Sequence, residues 1–203
     1  RLGAAWTSSV WHSVDSEVRA RNLHPVLSAI LQESGPVGLD VTVPQQAVLS
    51  VTRQTSQDAV LAASVGWQDW SSFGRAQMVL GDNRGRMFPR GLEDTWHVAV
   101  GLRQPLDPRW TLGAGIAYDS DPSADGTMPA YFPIAEQLRL AAGVDCRVSS
   151  ELVLRLALSV IQQGAVRVAQ TGHPLPLPGI EPLYGRFDGS RVYVIGLAAD
   201  FAR

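Results

Sequence analysis

Histidine and cysteine are the side chains best able to hold a metal or activate a nucleophile, and their placement here argues against both uses. His12, His24, His97 and His173 are scattered along 203 residues with no HxxxH or HxH spacing, so no pair shares a helix or strand face as zinc ligation requires. Cys146 is the sole cysteine; it can build neither a disulfide framework nor a thiolate site, and it reads as a small hydrophobe. A Ser-His-acid set can assemble from distant segments, but no nucleophile motif is visible. No catalytic residue, metal or cofactor is expected, and the chain is not expected to be an enzyme.

Charge inside apolar runs is more informative. His97, Arg139, Asp145, Arg147 and Arg155 each interrupt a stretch in which every second residue is apolar. In 95–103, "TWHVAVGLR", Trp96, Val98, Val100 and Leu102 share one parity, while His97 and Arg103 share the other. The run "WTLGAGIAYD" sets Trp110, Leu112, Ala114, Ile116 and Tyr118 against Thr111, Gly113, Gly115, Ala117 and Asp119. "LRLAAGVDCRV" and "ELVLRLALSV" repeat the pattern, with Arg139, Asp145, Arg147 and Arg155 on the second parity. Strict alternation is the mark of strands, so these five residues are expected to project together from one face of a sheet as a salt-bridge network, with a minor prospect of meeting a carboxylate headgroup.

The solvents on the two faces follow from what each face carries. One face is bulky and aliphatic in its middle and aromatic near strand ends; the other mixes charge with Gly and Ala. In a transmembrane barrel the outer face meets lipid between aromatic girdles and the lumen is polar or small. A charge at the lipid midplane costs roughly 2–4 kcal/mol, which placing all of them inward avoids. A soluble β-sandwich that binds a ligand is the alternative for the alternation itself, since its inner faces also alternate.

Composition narrows the partners. Hydrophobic residues make up 45% and charged residues 18% of the chain, yet no run of 18 or more apolar residues could cross a bilayer as a helix. Net charge is −2 and all 17 basic residues are arginine, so no basic patch for nucleic acid is expected. The start at Arg1, without an initiator methionine or a signal-peptide pattern, leads to the expectation that an N-terminal portion lies outside this sequence.

Strands are predicted near 1–9, 16–23, 42–54, 59–80, 95–105, 110–119, 138–148, 151–170 and 190–203. Their connections then alternate short ("VWHSVD", "TSQD", "LDPR", "SSE") and long (24–41, 81–94, 120–137, 171–189). Outer-membrane barrels have short periplasmic turns and long external loops, so the alternation supports an all-β, antiparallel transmembrane barrel. An odd strand number would leave an edge of unpaired backbone in lipid, which again calls for further strands.

Particular residues add a family likeness. "VPQQAVLSVTRQTSQDAVLAASVGWQDWSSF" (43–73), "GLEDTWHVAVGLRQPLDPRWTLGAGIAYDSDP" (91–122) and "FPIAEQLRLAAGVDCRV" with the strand after it resemble the outer-membrane long-chain fatty acid and aromatic-hydrocarbon transporter family (FadL/TodX type). The likeness is close over about 42–170 and looser on the flanks. It implies a barrel of about 14 strands, an even number as bacterial barrels have, with an N-terminal plug. The present chain, 1–203, would be the C-terminal portion of that single domain, carrying about the last nine strands. It also implies passive transport of hydrophobic compounds in the bacterial outer membrane, delivery by the outer-membrane assembly machinery, lipid as the surrounding partner, and a monomer. Two departures stand out: Pro133-Ile134-Ala135-Glu136-Gln137 where the family has Pro-Asp and an acidic-Arg pair, and Ala202-Arg203 following Phe201 where an aromatic terminus is usual.

Three further features bear on a ligand. In "HPVLSAILQES" (24–34), Val26, Leu27, Ile30 and Leu31 have one-face helical spacing behind Pro25, and in the family the corresponding loop helps form a substrate groove; sealing the loop to the rim is the plainer use. Trp67 shares the lipid-side parity and Trp70 the luminal one, so Trp70 could line a pocket unless a bulge turns it outward. The proline-rich 172–189 reads as a stiff rim loop. A general porin or structural barrel is the rival function.

Overall fold

The computed structural model describes residues 1–16, 37–55, 58–80, 83–88, 91–170 and 182–201. Its principal feature is one antiparallel sheet of eight strands: β1 (Leu2–Thr7), β4 (Gln46–Gln54), β5 (Val60–Gln68), β8 (Thr95–Pro105), β9 (Trp110–Asp119), β11 (Gln137–Arg147), β12 (Leu152–Gln163) and β15 (Ser190–Phe201), side by side in that order. Register keeps the two parities in phase across the sheet. Val65, Val98, Tyr118, Leu138 and Gln162 lie in one cross-strand row, as do Arg103 and Gly113 on the opposite face. A one-residue slip would send every side chain to the wrong solvent.

This sheet is a single layer. Leu158 and Ile116, in the middle of the apolar face, are each 49% exposed, although a sandwich would bury them against a second sheet. The opposite face is concave: a depression of about 720 Å³ spans β4, β5, β8, β9, β11 and β12, floored by residues such as Ser50, Ser64, Ala99, Gly115 and Ala141. The soluble-sandwich reading is therefore overturned. Aromatic residues mark two levels on the apolar face, Trp6, Trp67, Trp96, Tyr118 and Tyr193 at one end and Trp110 and Phe201 at the other. On both β9 and β15 the two levels are eight residues apart, about 26 Å along the strand, which with barrel tilt suits the apolar band of an outer membrane.

The short connections 55–59, 106–109 and 148–151 all lie at the end marked by Trp110 and Phe201, and the strand ends that lead into the long ones lie at the other. One expected turn is absent. Val10–Ser16 is not a connection but β2, which continues β1 and pairs with β3 (Val37–Val43), itself the continuation of β4. Expected strand 1–9 and the first residue of expected strand 16–23 thus belong to one long strand, and residues 17–23 lie outside the described ones; the wall has eight strands, not nine, among the described residues. The polar residues of "VWHSVD" resemble a turn, but they are satisfied across the ladder: Ser13 Oγ donates to Asp40 Oδ1 at 2.7 Å. The interruption falls instead at Ser8-Ser9 opposite Pro44-Gln45, where proline has no N–H to give the ladder.

Above this level β2 and β3 join β6 (Gln77–Leu80) and β7 (Asn83–Arg86) in a four-stranded sheet, and β10 (Thr127–Met128), β13 (Val166–Gln170) and β14 (Leu183–Phe187) form a three-stranded one. Two expected strands are accordingly broken. Region 59–80 leaves the wall after Gln68, makes a one-turn helix α1 (Trp70–Phe73) and re-enters a different sheet as β6. Region 151–170 breaks at Gly164-Ala165 between β12 and β13.

The apolar core sits in this rim and not in the wall. Ala76, Phe88, Leu92, Met128, Ala135 and Val166 are buried together, with Val41, Trp70, Phe73, Met87, Phe132 and Ile134 packed around them. Gly74, which ends α1, lets the chain 91–92 lie against the helix; a Cβ there would stand 2.5 Å from the Leu92 backbone nitrogen. Gly74→Ala is expected to push that segment away and to destabilise the rim, measured as faster amide exchange at 91–94 with exchange in β9 and β11 unchanged. Unaltered exchange at Leu92 would refute the contact.

Candidate functional site

The luminal charges gather in two layers separated by the small-residue floor. In the upper layer Asp119 ends β9 and receives two partners from its neighbours: His97 Nδ1 of β8 lies 2.8 Å from Oδ1, and Arg139 Nη2 of β11 donates to Oδ2 at 2.5 Å. In the lower layer Arg103 Nη2 donates to Asp145 Oδ2 at 2.8 Å, Arg155 Nε stands 3.8 Å from Asp145 Oδ1, and Arg155 Nη1 is 3.0 Å from Asp200 Oδ2. Register produces this: Asp145 is the direct cross-strand partner of Arg155, and His97 that of Asp119. The opposite charges of Asp145 and Arg155 at paired positions stabilise the sheet by about 0.2–1 kcal/mol.

The five residues singled out from sequence are therefore not one network. His97 and Arg139 belong to the upper layer, Asp145 and Arg155 to the lower, and Arg147 has no ion pair among the described residues. Arg103, Asp119 and Asp200 complete the layers. Arg103 and Asp119 could have been found, since both share the inward parity of the residues beside them.

Trp70 is not a strand residue facing the lumen. The strand stops at Gln68, and Asp69 caps α1, so Trp70 enters the rim cluster. Its ring meets Phe73 edge-on at 5.4 Å and Phe132 at 6.3 Å, and its Nε1 donates to Gln68 Oε1 at 2.9 Å. Phe132 also contacts Phe73 and Phe88, at 5.9 and 5.0 Å. A pocket of about 280 Å³ is lined by Trp70, Pro122, Phe132, Ile134 and Ala135 together with the polar Gln68, Thr95, Asp119, Ser120, Gln137 and Arg139. Val26, Leu27, Ile30 and Leu31 lie outside the described residues, as do His24 and His173. Among the described residues no group of three His, Cys, Asp or Glu side chains could hold a metal.

Asp69 holds this region to the wall. It accepts from Ser71 Oγ at 2.8 Å, from the Ser72 N–H at 3.1 Å and from Gln45 Nε2 at 3.2 Å. Burial alone would raise its pKa, but the hydrogen bonds from Ser71, Gln45 and Ser72, with Arg75 nearby, outweigh burial and hold it below the usual aspartate value. A carboxyl depressed in the folded state contributes stability that is complete above its unfolded pKa, about 3.9, and is lost as pH falls through the lower folded value. Rim protection is therefore expected to decline below about pH 4. Asp69→Asn should weaken the rim at neutral pH and flatten that decline, and an acid titration of amide exchange at Ser72 that is identical in both proteins would contradict the assignment.

Comparison with known proteins fits this architecture. The sequence matches the family described as outer membrane protein transport protein (OMPP1/FadL/TodX) over residues 1–202. No curated protein sequence matches it. The fold is similar to that of a FadL homologue from Pseudomonas aeruginosa, with 20% identity and a TM-score of 0.75 over 98% of this chain and 48% of that one. It is also similar to the P. putida toluene transporter TodX, with 17% identity and a TM-score of 0.51 over 82% of this chain and 37% of that one. The chain thus spans about half the length of the first and less of the second. A single-layer sheet with a lipid-facing surface, aromatic girdles and a charged lumen, matched to one family along nearly its whole length, places this chain in the OMPP1/FadL/TodX family of bacterial outer-membrane transport proteins.

Proposed function

We propose that the chain is the C-terminal portion of a single-domain barrel that carries hydrophobic compounds, long-chain fatty acids or hydrocarbons, across the outer membrane by passive binding and diffusion. The observation that carries this reading is the rim pocket, which Trp70, Phe132 and Ile134 line together with Asp119 and Arg139 of the upper charge layer. An apolar molecule leaving water gains about 25 cal/mol per Å² of surface it buries, so a ladder of apolar sites needs no cofactor and no energy source. The rim cluster, the pocket and the Ala- and Gly-lined face below it form such a ladder. The likeness to a toluene transporter supports hydrocarbons as one class of cargo.

The rest of the barrel would supply partners for β1 and β15, each of which pairs on one side only among the described residues; open edges are not tolerated in lipid. The assembled protein acts as a monomer, delivered by the outer-membrane assembly machinery, with membrane lipid around it and no role for nucleic acid. Two measurements on the purified protein test the transport reading. Saturable binding of labelled oleate or of a radiolabelled hydrocarbon is expected, together with slow swelling of proteoliposomes in sugars. Fast sugar flux without hydrophobic binding would instead establish a general porin.

A further inference from the structure

Asp119 lies where the upper charge layer meets the pocket. Its carboxylate is shared between Arg139 and His97, at 2.5 and 2.8 Å, and Asp119 and Arg139 both line the 280 Å³ space together with Trp70 and Phe132. A guanidinium at the wall of an apolar pocket is ordinarily a receptor for a carboxylate, because its fork of N–H groups matches two oxygens. Here one arm of that fork, Nη2, is already taken by a carboxylate of the chain.

We infer that Asp119 is a specificity-determining residue: by holding Arg139 Nη2 and His97 Nδ1 and placing a carboxylate beside them, it favours neutral, ring-sized hydrophobic molecules in the pocket over anions of the same size. An anionic ligand would have to lie beside the Asp119 carboxylate, where like charges repel, or displace it from two partners. Rejection by an unfavourable charge is as much a part of specificity as attraction. Pocket size points the same way, since 280 Å³ is just below the range of about 300–1,000 Å³ that holds drug-sized ligands. A single ring fits a space of this size. The inference rests on the hydrophobic-transport reading and refines it at one pocket.

A matched pair of probes separates the two. Binding of 4-fluorotoluene and 4-fluorobenzoate to the purified protein, followed by fluorine NMR at neutral pH, differs only in the headgroup. The parent protein is expected to bind the toluene at least about tenfold more tightly than the benzoate, the size of one lost charge-assisted hydrogen bond. Asp119→Asn should raise the benzoate-to-toluene affinity ratio by about tenfold, and adding Arg139→Gln should cancel that rise. Equal binding of both probes by the parent overturns the inference without any variant, as does an Asp119→Asn ratio that stays at the parent value. If the parent binds oleate but neither ring, this inference falls and the transport reading stands; if it binds no hydrophobic probe, both fall.

Discussion

Leu156→Arg is expected to block assembly of the barrel, whereas Arg155→Leu next to it should be mild. Leu156 lies halfway between two aromatic levels: on β12 it is four residues from Val160, which pairs with Tyr193, and four from Leu152, which pairs with Phe201. Its cross-strand partners are Val144 and Leu197, so it stands in a wholly aliphatic row on the lipid face. An arginine at that depth costs roughly 2–4 kcal/mol in the folded state and as much in any inserting intermediate. Arg155 faces the other solvent. Removing it leaves Asp145 bound to Arg103 at 2.8 Å and frees Asp200, whose side chain is half exposed; exposed pairs of this kind contribute about 0–1 kcal/mol. The yield of folded, heat-modifiable protein in outer membranes reads both variants, and equal yields would mean that the assignment of faces is wrong.

The contrast shows which parts of the molecule can be inferred from residues alone. Along the wall each side chain has one of two solvents, and the cost of a wrong choice is imposed at every position; period-two alternation is therefore nearly unbroken from Thr95 to Asp119 and from Gln137 to Gln163. The cross-strand pairs Asp145–Arg155 and His97–Asp119 were within reach of that logic, because parity places them on one face and register brings them level. The rim obeys no such rule. Phe73 at the end of α1, Phe88 and Phe132 come from separate segments and meet only in three dimensions, so no local period announces them, and Trp70 reads as one more strand residue. Ser8-Ser9 and Pro44-Gln45 are ambiguous for a related reason. Each could be a turn or a ladder break, and only pairing of the segments beyond them decides.

Phe88→Ala is expected to produce the largest loss at the rim, about 3–5 kcal/mol by the usual cost of emptying a buried aromatic site. Phe88 is 2% exposed and its ring contacts Phe73 at 5.5 Å, Phe132 at 5.0 Å and Tyr131 at 6.4 Å, so its removal leaves a void shared by three loop segments. The wall should not feel it. Strands β8, β9, β11 and β12 are held by ladder hydrogen bonds and surrounding lipid, not by the rim cluster, and regions joined by few contacts open independently. Limited proteolysis is thus expected to cleave the variant within 83–94 and 122–135 while the temperature at which the barrel loses heat-modifiable mobility stays at the parent value. A barrel that melts earlier by the full amount would show that rim and wall are one cooperative unit. Because Phe132 is also a wall of the pocket, the same variant should weaken binding of a ring-sized ligand. That coupling places the stability of the rim and the capture of cargo in the same handful of aromatic contacts.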